Sequence, residues 1–244
     1  MKNIVLVLLF VVGTLVAQPG PRNEPPKNIT ALPAGITGQE VRKVMSDFSS
    51  ALGVHCDFCH VPAKTGRGMD FAADDKPQKG MARMMIKMVK ELNGKYFADM
   101  HDDAGKSISV ACVTCHRGNT SPVMLEDKLK STYDVAGIDS TIRTYRQLRE
   151  KYYGGFTYNF KEGTLLRLAD KIAEDSTKQK DALAIVKLNV ELYPDFAFNY
   201  THLGSYYEDA GNIPAAIENF QKAVDLDARN ARLKEHIDML KNKK

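Results

Sequence analysis

Residues 56–60 read CDFCH, and residues 112–116 repeat the same frame as CVTCH. The two frames hold all four cysteines of the 244-residue chain, and a histidine directly follows each pair. C-x-x-C-H is typical of c-type haem attachment, because each thiol can form a thioether with a haem vinyl group while the histidine binds the iron. The frames therefore predict two covalently bound haem c groups. The predicted cofactor-binding residues are Cys56, Cys59, His60, Cys112, Cys115 and His116.

Three other interpretations of the cysteine pairs compete with haem attachment. Structural zinc between two pairs usually has a gap of about 15–20 residues, whereas Cys59 and Cys112 are 53 positions apart. Disulfide pairs suit an exported protein, and a thioredoxin-like motif should accompany a βαβ pattern that the sequence lacks. None of these explains the two histidines, because the whole chain has only six.

The ligand opposite each histidine decides whether the iron can react with small molecules, and methionine there favours electron transfer. Met45, eleven residues before Cys56, is the candidate for the first haem. For the second haem the residues leave several candidates open: Met85, Met88, Met100 and His101. Methionine is also a common filler of protein cores. We expect core packing for at least three of the four methionines from Met81 to Met88.

Residues 1–17 are typical of an export signal. Lys2 precedes an apolar run from Ile4 to Val16, and the small Ala17 follows. The run is shorter than the roughly 20 apolar residues of a membrane span. We therefore expect a periplasmic protein without a transmembrane span in its mature chain, with an uncleaved membrane anchor as the alternative. The formal net charge of +4, without a dense basic stripe, argues against nucleic-acid binding.

Periodicity predicts helices over residues 37–52, 80–96 and 230–241. Gly53 should end the first of them, just before the first cysteine frame. Residues 61–79 are rich in Pro, Gly, Asp and Lys, which favours a surface loop. The expected fold is accordingly all-α.

The composition of the sequence changes after residue 126: there are no more cysteines, and helical segments with Tyr, Leu and Ala dominate. We predict a di-haem cytochrome c domain over residues 18–126 and a helical, tetratricopeptide-repeat-like domain over residues 127–244. Two stretches there align at a 34-residue period. The clearer repeat comprises Tyr200, Leu203, Gly204, Tyr207, Ala216, Phe220 and Ala223. Gly204 and Ala216 would let two helices approach closely, and a generic helical bundle is the alternative.

Residues 41–118 resemble the multihaem cytochrome subunit of photosynthetic reaction centres, and more closely the short two-haem members of that family. The resemblance rests on VMSDFSSALGVHCDFCHVP (44–62), DDKPQKGMARMMIKMVKELN (74–93) and CVTCHRG (112–118). It implies that His60 and His116 are the proximal iron ligands. It also implies that Met45 and Met85 are the distal ligands of the first and second haem. The reaction-centre subunit has four haems, whereas this chain has two frames.

The expected function is therefore single-electron transfer between periplasmic redox partners by an exported di-haem cytochrome that is not an enzyme. The repeat domain should dock a protein partner on its concave surface. Two alternatives are a di-haem peroxidase-type enzyme, which needs one open iron site, and a haem-based sensor. Binding of carbon monoxide to the reduced protein would favour either alternative.

Overall fold

The computed structural model describes residues 25–242, so the expected export signal lies outside the described residues. The regular secondary structure of the described chain is helical apart from one hairpin of two-residue strands, which confirms the all-α prediction. Its helices are α1 (Gly38–Leu52), α2 (Pro77–Glu91), α3 (Cys112–His116), α4 (Leu125–Tyr152), α5 (Gly163–Ala173), α6 (Gln179–Leu192), α7 (Ala197–Asp209), α8 (Ile213–Leu226) and α9 (Ala231–Asn242). None of these described helices is both long enough and apolar enough to cross a membrane.

The shorter elements lie mostly in the first half of the described chain. Strand β1 (Val61–Pro62) pairs antiparallel with β2 (Met69–Asp70), inside the segment predicted as a loop. A five-residue π-helical turn, Leu92–Tyr96, continues α2. Single 3₁₀ turns cover Cys56–Phe58 and Ser176–Lys178. The predicted helices at 37–52, 80–96 and 230–241 thus correspond to α1, to α2 with its π turn, and to α9.

Two compact units make up the described chain, and each draws on separate stretches of sequence. The first unit contains the described residues up to Asp47 together with Cys56–Ile108, and so includes the first cysteine frame. The second contains Phe48–His55 together with the residues from Ser109 onward, and so includes the second frame and α4–α9. The domain boundary expected after residue 126 remains a prediction.

In the first unit, cations at the start of α2 hold the loop that precedes the helix. Arg83 donates to both carboxylate oxygens of Asp74, at 3.0 and 2.8 Å, and to the carbonyl of Asn28 at 3.2 Å. Lys79 donates to the carbonyls of residues 71–73 at 2.7–3.0 Å. The hydrogen bonds from Arg83 keep the pKa of Asp74 well below its usual range. Side-chain bonds therefore fix a loop that has little regular structure.

In the second unit, α4–α9 supply one continuous apolar core. Its fully buried side chains include Leu129, Tyr145, Leu165, Leu168, Ile185, Val186 and Phe220. Two buried side-chain amides are bonded inside this core: Asn189 donates to the Asn199 side-chain oxygen at 2.6 Å, and Asn199 donates to the carbonyl of Tyr193 at 2.7 Å. Among the described residues, the side-chain oxygen of Asn189 has no hydrogen-bond partner. Buried polar groups are tolerated when they are bonded in this way.

Gly204 on α7 lies against the ring of Phe220 on α8. A Cβ built on Gly204 would lie 2.4 Å from two ring carbons of Phe220. Both residues occupy the middles of their helices, and only residues 210–212 connect the helices, so the pair is antiparallel. The predicted close approach at Gly204 is confirmed, while the assignment of this region to tetratricopeptide repeats remains a prediction.

The substitution Gly204→Ala should destabilise the protein by about 1–3 kcal/mol, because the new methyl group would overlap the buried ring of Phe220, and one of the two would have to shift. Urea unfolding followed by circular dichroism measures the change. The matched control is Ser205→Ala, at the exposed neighbouring position of the same helix, which should stay within about 0.5 kcal/mol of wild type. Equal stability of the two variants would contradict the packing described for α7 and α8.

Candidate haem-attachment sites

The first frame forms one tight turn that presents both thiols and the histidine. The backbone N–H groups of Cys59 and His60 both donate to the carbonyl of Cys56, at 3.3 and 3.0 Å. His60 is buried, with 9% of its surface exposed. Burial raises the pKa of the Cys59 thiol, and the nearby charge of Lys76 opposes this in part. The turn thus places three potential haem-binding groups within five residues.

His60 lies in an environment that favours its neutral form. Its ring meets the ring of Phe71 edge-on, with 5.1 Å between the centroids. Burial lowers the pKa of His60, the positive charges of Lys79 and Lys76 lower it further, and Asp70 opposes them. Within the described structure its Nδ1 atom is buried and has no hydrogen-bond partner. A neutral imidazole is the form that binds metals.

The second frame is the short helix α3, which carries both cysteines and the histidine on little more than one turn. The hydroxyl of Thr114 accepts a hydrogen bond from the backbone N–H of Ala111 at 3.0 Å and so caps the start of the helix. Arg117 adopts a left-handed conformation with φ of 49° and ends it. The chain then turns back over His116, because the N–H of Asn119 donates to the His116 carbonyl at 2.9 Å.

A hydrogen bond in this turn defines which nitrogen of His116 is free to bind a metal. Nδ1 of His116 lies 2.9 Å from the carbonyl oxygen of Asn119. Because a carbonyl can only accept, Nδ1 must carry the proton, and in a neutral ring the lone pair is then on Nε2. Metal-binding histidines usually have this arrangement, since the second hydrogen bond fixes the tautomer and the ring orientation.

The turn after the second frame packs against the end of α1, within the second unit. The N–H of Gly118 donates to the carbonyl of Ala51 at 2.8 Å. Gly53 ends α1 in a left-handed conformation with φ of 66°, as predicted, and a Cβ there would lie 2.3 Å from the Gly118 carbonyl oxygen. Glycine at position 53 therefore satisfies a backbone constraint and a close approach together.

Sequence reasoning missed three residues that support the second frame: Asn119, Thr157 and Tyr158. The Thr157 hydroxyl donates to the Arg117 carbonyl at 2.7 Å, and the side-chain amide of Asn119 donates to the Tyr158 hydroxyl. Asn119 could have been found, because it is a polar residue just beyond the frame and therefore a candidate partner for His116. Nothing in the sequence marked Thr157 and Tyr158, because they lie about 40 residues away in the segment expected to form repeats.

The methionines of α2 do not form a protein core. Met81, Met84 and Met88 are 53%, 54% and 43% exposed, so the expectation of core packing for at least three of the four is wrong. They recur on one helical face that the described polypeptide leaves uncovered. Met85 on α2 and Met45 on α1 are half-buried. Their assignment as distal ligands remains a prediction.

The alternatives for the second distal ligand remain open as well. Met100 and His101 are exposed in the loop that follows the π turn. Nδ1 of His101 lies 3.2 Å from the Asp99 carbonyl oxygen, so its Nε2 also carries the lone pair in a neutral ring. In this tautomer, Nε2 of His101 could bind a metal.

Residues 25–124 contain very few fully buried side chains, which is a sign that they bind a large apolar group. Only Ala51 and His60 are fully buried in this range, and its other side chains are half-buried or exposed. Large apolar side chains are exposed instead: Phe71, Met81, Met84, Met88, Tyr96, Met100, Ile108, Val113 and Met124. Together with the thiol–histidine donor sets, this surface fits a macrocycle such as haem, whose faces would cover it.

Two further observations concern the cysteines and the acidic side chains. No disulfide joins any of the four cysteines, all of which lie in the described part of the chain. Among residues 25–242, no three His, Cys, Asp or Glu side chains form a cluster that could hold a metal ion by itself. The two frames have the residues and the spacing that covalent haem c attachment uses.

Comparison with known proteins supports one family of cytochromes. Residues 27–147, just under half of the chain, match the family described as photosynthetic reaction centre cytochrome C subunit. Cytochrome c-554 of Chloroflexus aurantiacus is 32% identical over 93 residues, which are 38% of this chain and 20% of that protein. The photosynthetic reaction center cytochrome c subunit of Rubrivivax gelatinosus is 32% identical over 108 residues, covering 38% of this chain and 28% of that protein. The aligned part is thus less than a third of each relative.

Replacing Gly53 by alanine should destabilise the protein more than a substitution that causes backbone strain alone. Both Gly53 and Gly154 have left-handed φ angles, of 66° and 80°, but a Cβ at Gly154 would have nothing within 4 Å. The strain costs about 1–2 kcal/mol at either position, and the clash with Gly118 should add about 1–3 kcal/mol at Gly53. Denaturant unfolding of Gly53→Ala and Gly154→Ala measures the difference. Equal destabilisation would show that α1 and the turn after α3 are not packed as described.

Proposed function

We propose that the protein is an exported electron carrier that holds one covalently attached haem c at each cysteine frame. It would pass single electrons between periplasmic redox proteins. The observation that carries the proposal is the second frame, where one short helix presents two thiols beside a histidine whose Nε2 holds the lone pair. The family match of residues 27–147 supports the same conclusion.

The chain's own residues would hold and shield the two groups. The thiols of each frame anchor the macrocycle, so a domain with little core of its own can retain it. The histidines supply the proximal ligands, and the Asn119 carbonyl fixes the orientation of the one at position 116. When bound, haem supplies a couple of ferric and ferrous iron that exchanges one electron.

Methionine at both distal positions would make electron transfer the main activity. We propose Met45 for the haem of the first frame and Met85 for that of the second, as the family resemblance implies. Thioether ligation raises the reduction potential and leaves no open iron site for peroxide or gas. An enzyme or sensor would instead need one displaceable ligand.

Removing the thiols of one frame should remove one haem and leave the other. The double variants Cys56→Ala with Cys59→Ala and Cys112→Ala with Cys115→Ala should each contain half of the wild-type covalent haem. Each should also retain one reversible one-electron couple in a redox titration. Covalent haem is measured as the alkaline pyridine adduct after acid–acetone extraction. A pair of variants that both keep the wild-type content would refute attachment at these cysteines.

The proposed role of the C-terminal helices is to dock a protein partner. Phe198 on α7 supports it, because this large aromatic ring is 58% exposed beside the half-buried Phe196, at 5.4 Å between centroids. Exposed aromatic side chains are enriched at protein interfaces. The test is the rate at which membranes of the producing bacterium oxidise the reduced protein. Phe198→Ser should slow this reaction, and Ser205→Ala on the same helix should not; equal rates would contradict docking through this surface.

A further inference from the structure

The second frame is braced by a segment that follows it by about 40 residues. We propose that Thr157 and Tyr158 are positioning residues for the proximal histidine of the second haem, and that they set its reduction potential through the turn at residues 117–119. This inference rests on the proposed function. It goes beyond that function because it gives the region outside the haem frames a part in tuning one particular haem.

Tyr158 holds the side chain of the residue that orients His116. Its hydroxyl accepts a hydrogen bond from the side-chain amide of Asn119, whose carbonyl in turn accepts from Nδ1 of His116. Tyr158 is itself buried and fixed edge-on against the ring of Tyr152, at 5.4 Å between centroids. Because each link is a directed bond between ordered groups, the tyrosine limits how far the Asn119 carbonyl can move away from the imidazole.

Thr157 holds the same turn from its other end. Its hydroxyl donates to the carbonyl of Arg117 at 2.7 Å, which helps to stabilise the left-handed conformation of this non-glycine residue. Thr157 is buried, and its hydroxyl oxygen would lie 3.3 Å from a Cβ built on Gly118. Two adjacent residues of one segment therefore hydrogen-bond to Arg117 and Asn119, the two ends of the turn.

The hydrogen bond at Nδ1 determines how strongly His116 donates electrons to a metal. An imidazole that gives its Nδ1 proton to an acceptor becomes a more basic ligand. A more basic ligand stabilises ferric over ferrous iron, so it lowers the potential. Loosening the Asn119 carbonyl should therefore raise the potential of the second haem. His60 provides an internal reference, because within the described structure its Nδ1 has no hydrogen-bond partner.

The test is a spectroelectrochemical titration of the full-length protein carrying both haems. Tyr158→Phe and Thr157→Val should each raise the potential of the His116 haem. The expected shift is a threefold to tenfold change in its ferric-to-ferrous ratio at fixed potential, where tenfold corresponds to about 59 mV. The other haem should keep its potential. Thr157→Ser, which retains the hydroxyl, should restore the wild-type value.

Tyr200→Phe is the matched control for a merely structural effect. Tyr200 is similarly buried, and its hydroxyl donates to the Pro194 carbonyl at 2.8 Å, away from the frames. It should change thermal stability and leave both potentials alone. In the background Cys112→Ala with Cys115→Ala, which should lack the second haem, Tyr158→Phe should also leave the remaining potential unchanged.

The possible results separate this inference from the proposed function. Wild-type protein without covalent haem at the second frame would overturn both. Wild-type protein with two haems, and unchanged potentials in Tyr158→Phe and Thr157→Val, would overturn only the inference. Equal shifts of both haems, or a shift in Tyr200→Phe as large as that in Tyr158→Phe, would also overturn it, because the effect would then be general.

Discussion

Burial is the constraint on which the rest of this structure depends. Residues 125–242 bury a continuous apolar core between helices, whereas residues 25–124 bury only Ala51 and His60. Folding has to offset a conformational entropy cost of about 1–2 kcal/mol per ordered residue, and residues 25–124 have only two fully buried side chains with which to do so. Covalent haem would solve this problem, since it brings a large apolar surface that the thioethers prevent from dissociating. Haem binding would then account for both the exposed apolar face of α2 and the two cysteine frames.

The two histidines are supported in different ways. His116 lies in a turn that is fixed by hydrogen bonds to Ala51, Thr157 and Tyr158, all within the second unit. His60 is held mainly by burial, with the ring of Phe71 against it. Because hydrogen bonds to a metal ligand tune the metal, two haems held at these two frames would differ in reduction potential. Unequal potentials would give electrons a preferred direction.

Periodicity and helix-ending residues predicted the helices well. Contacts between residues that are distant in sequence could not be predicted from such local patterns. The 3.6-residue periodicity located α1, α2 and α9. Gly53 ends α1 as expected, because the positive φ angle that ends the helix is a property of the glycine itself. Gly204 was recognised as a close approach because its partner, Phe220, lies within one helical repeat. Core packing was expected for at least three of the four methionines from Met81 to Met88, since periodicity identifies an apolar face without showing what covers it.

The candidate sites show the same limit. The cysteines and histidines were identified because their spacing is itself the chemical signal. Thr157 and Tyr158 were missed because only the folded chain brings them next to the second frame, about 40 residues away in sequence. The distal ligands Met45 and Met85 remain predictions for a related reason: a methionine is recognised as a ligand by its distance from an iron atom, which sequence spacing does not provide.

The most direct test of the central claim is the mass of the purified, exported chain under denaturing conditions. Covalent attachment at both frames predicts a mass equal to that of the mature polypeptide plus two haem groups, with reduced thiols absent at all four cysteines. A mass equal to that of the polypeptide alone, with four titratable thiols or two disulfides, would contradict the claim that the N-terminal region folds around haem c.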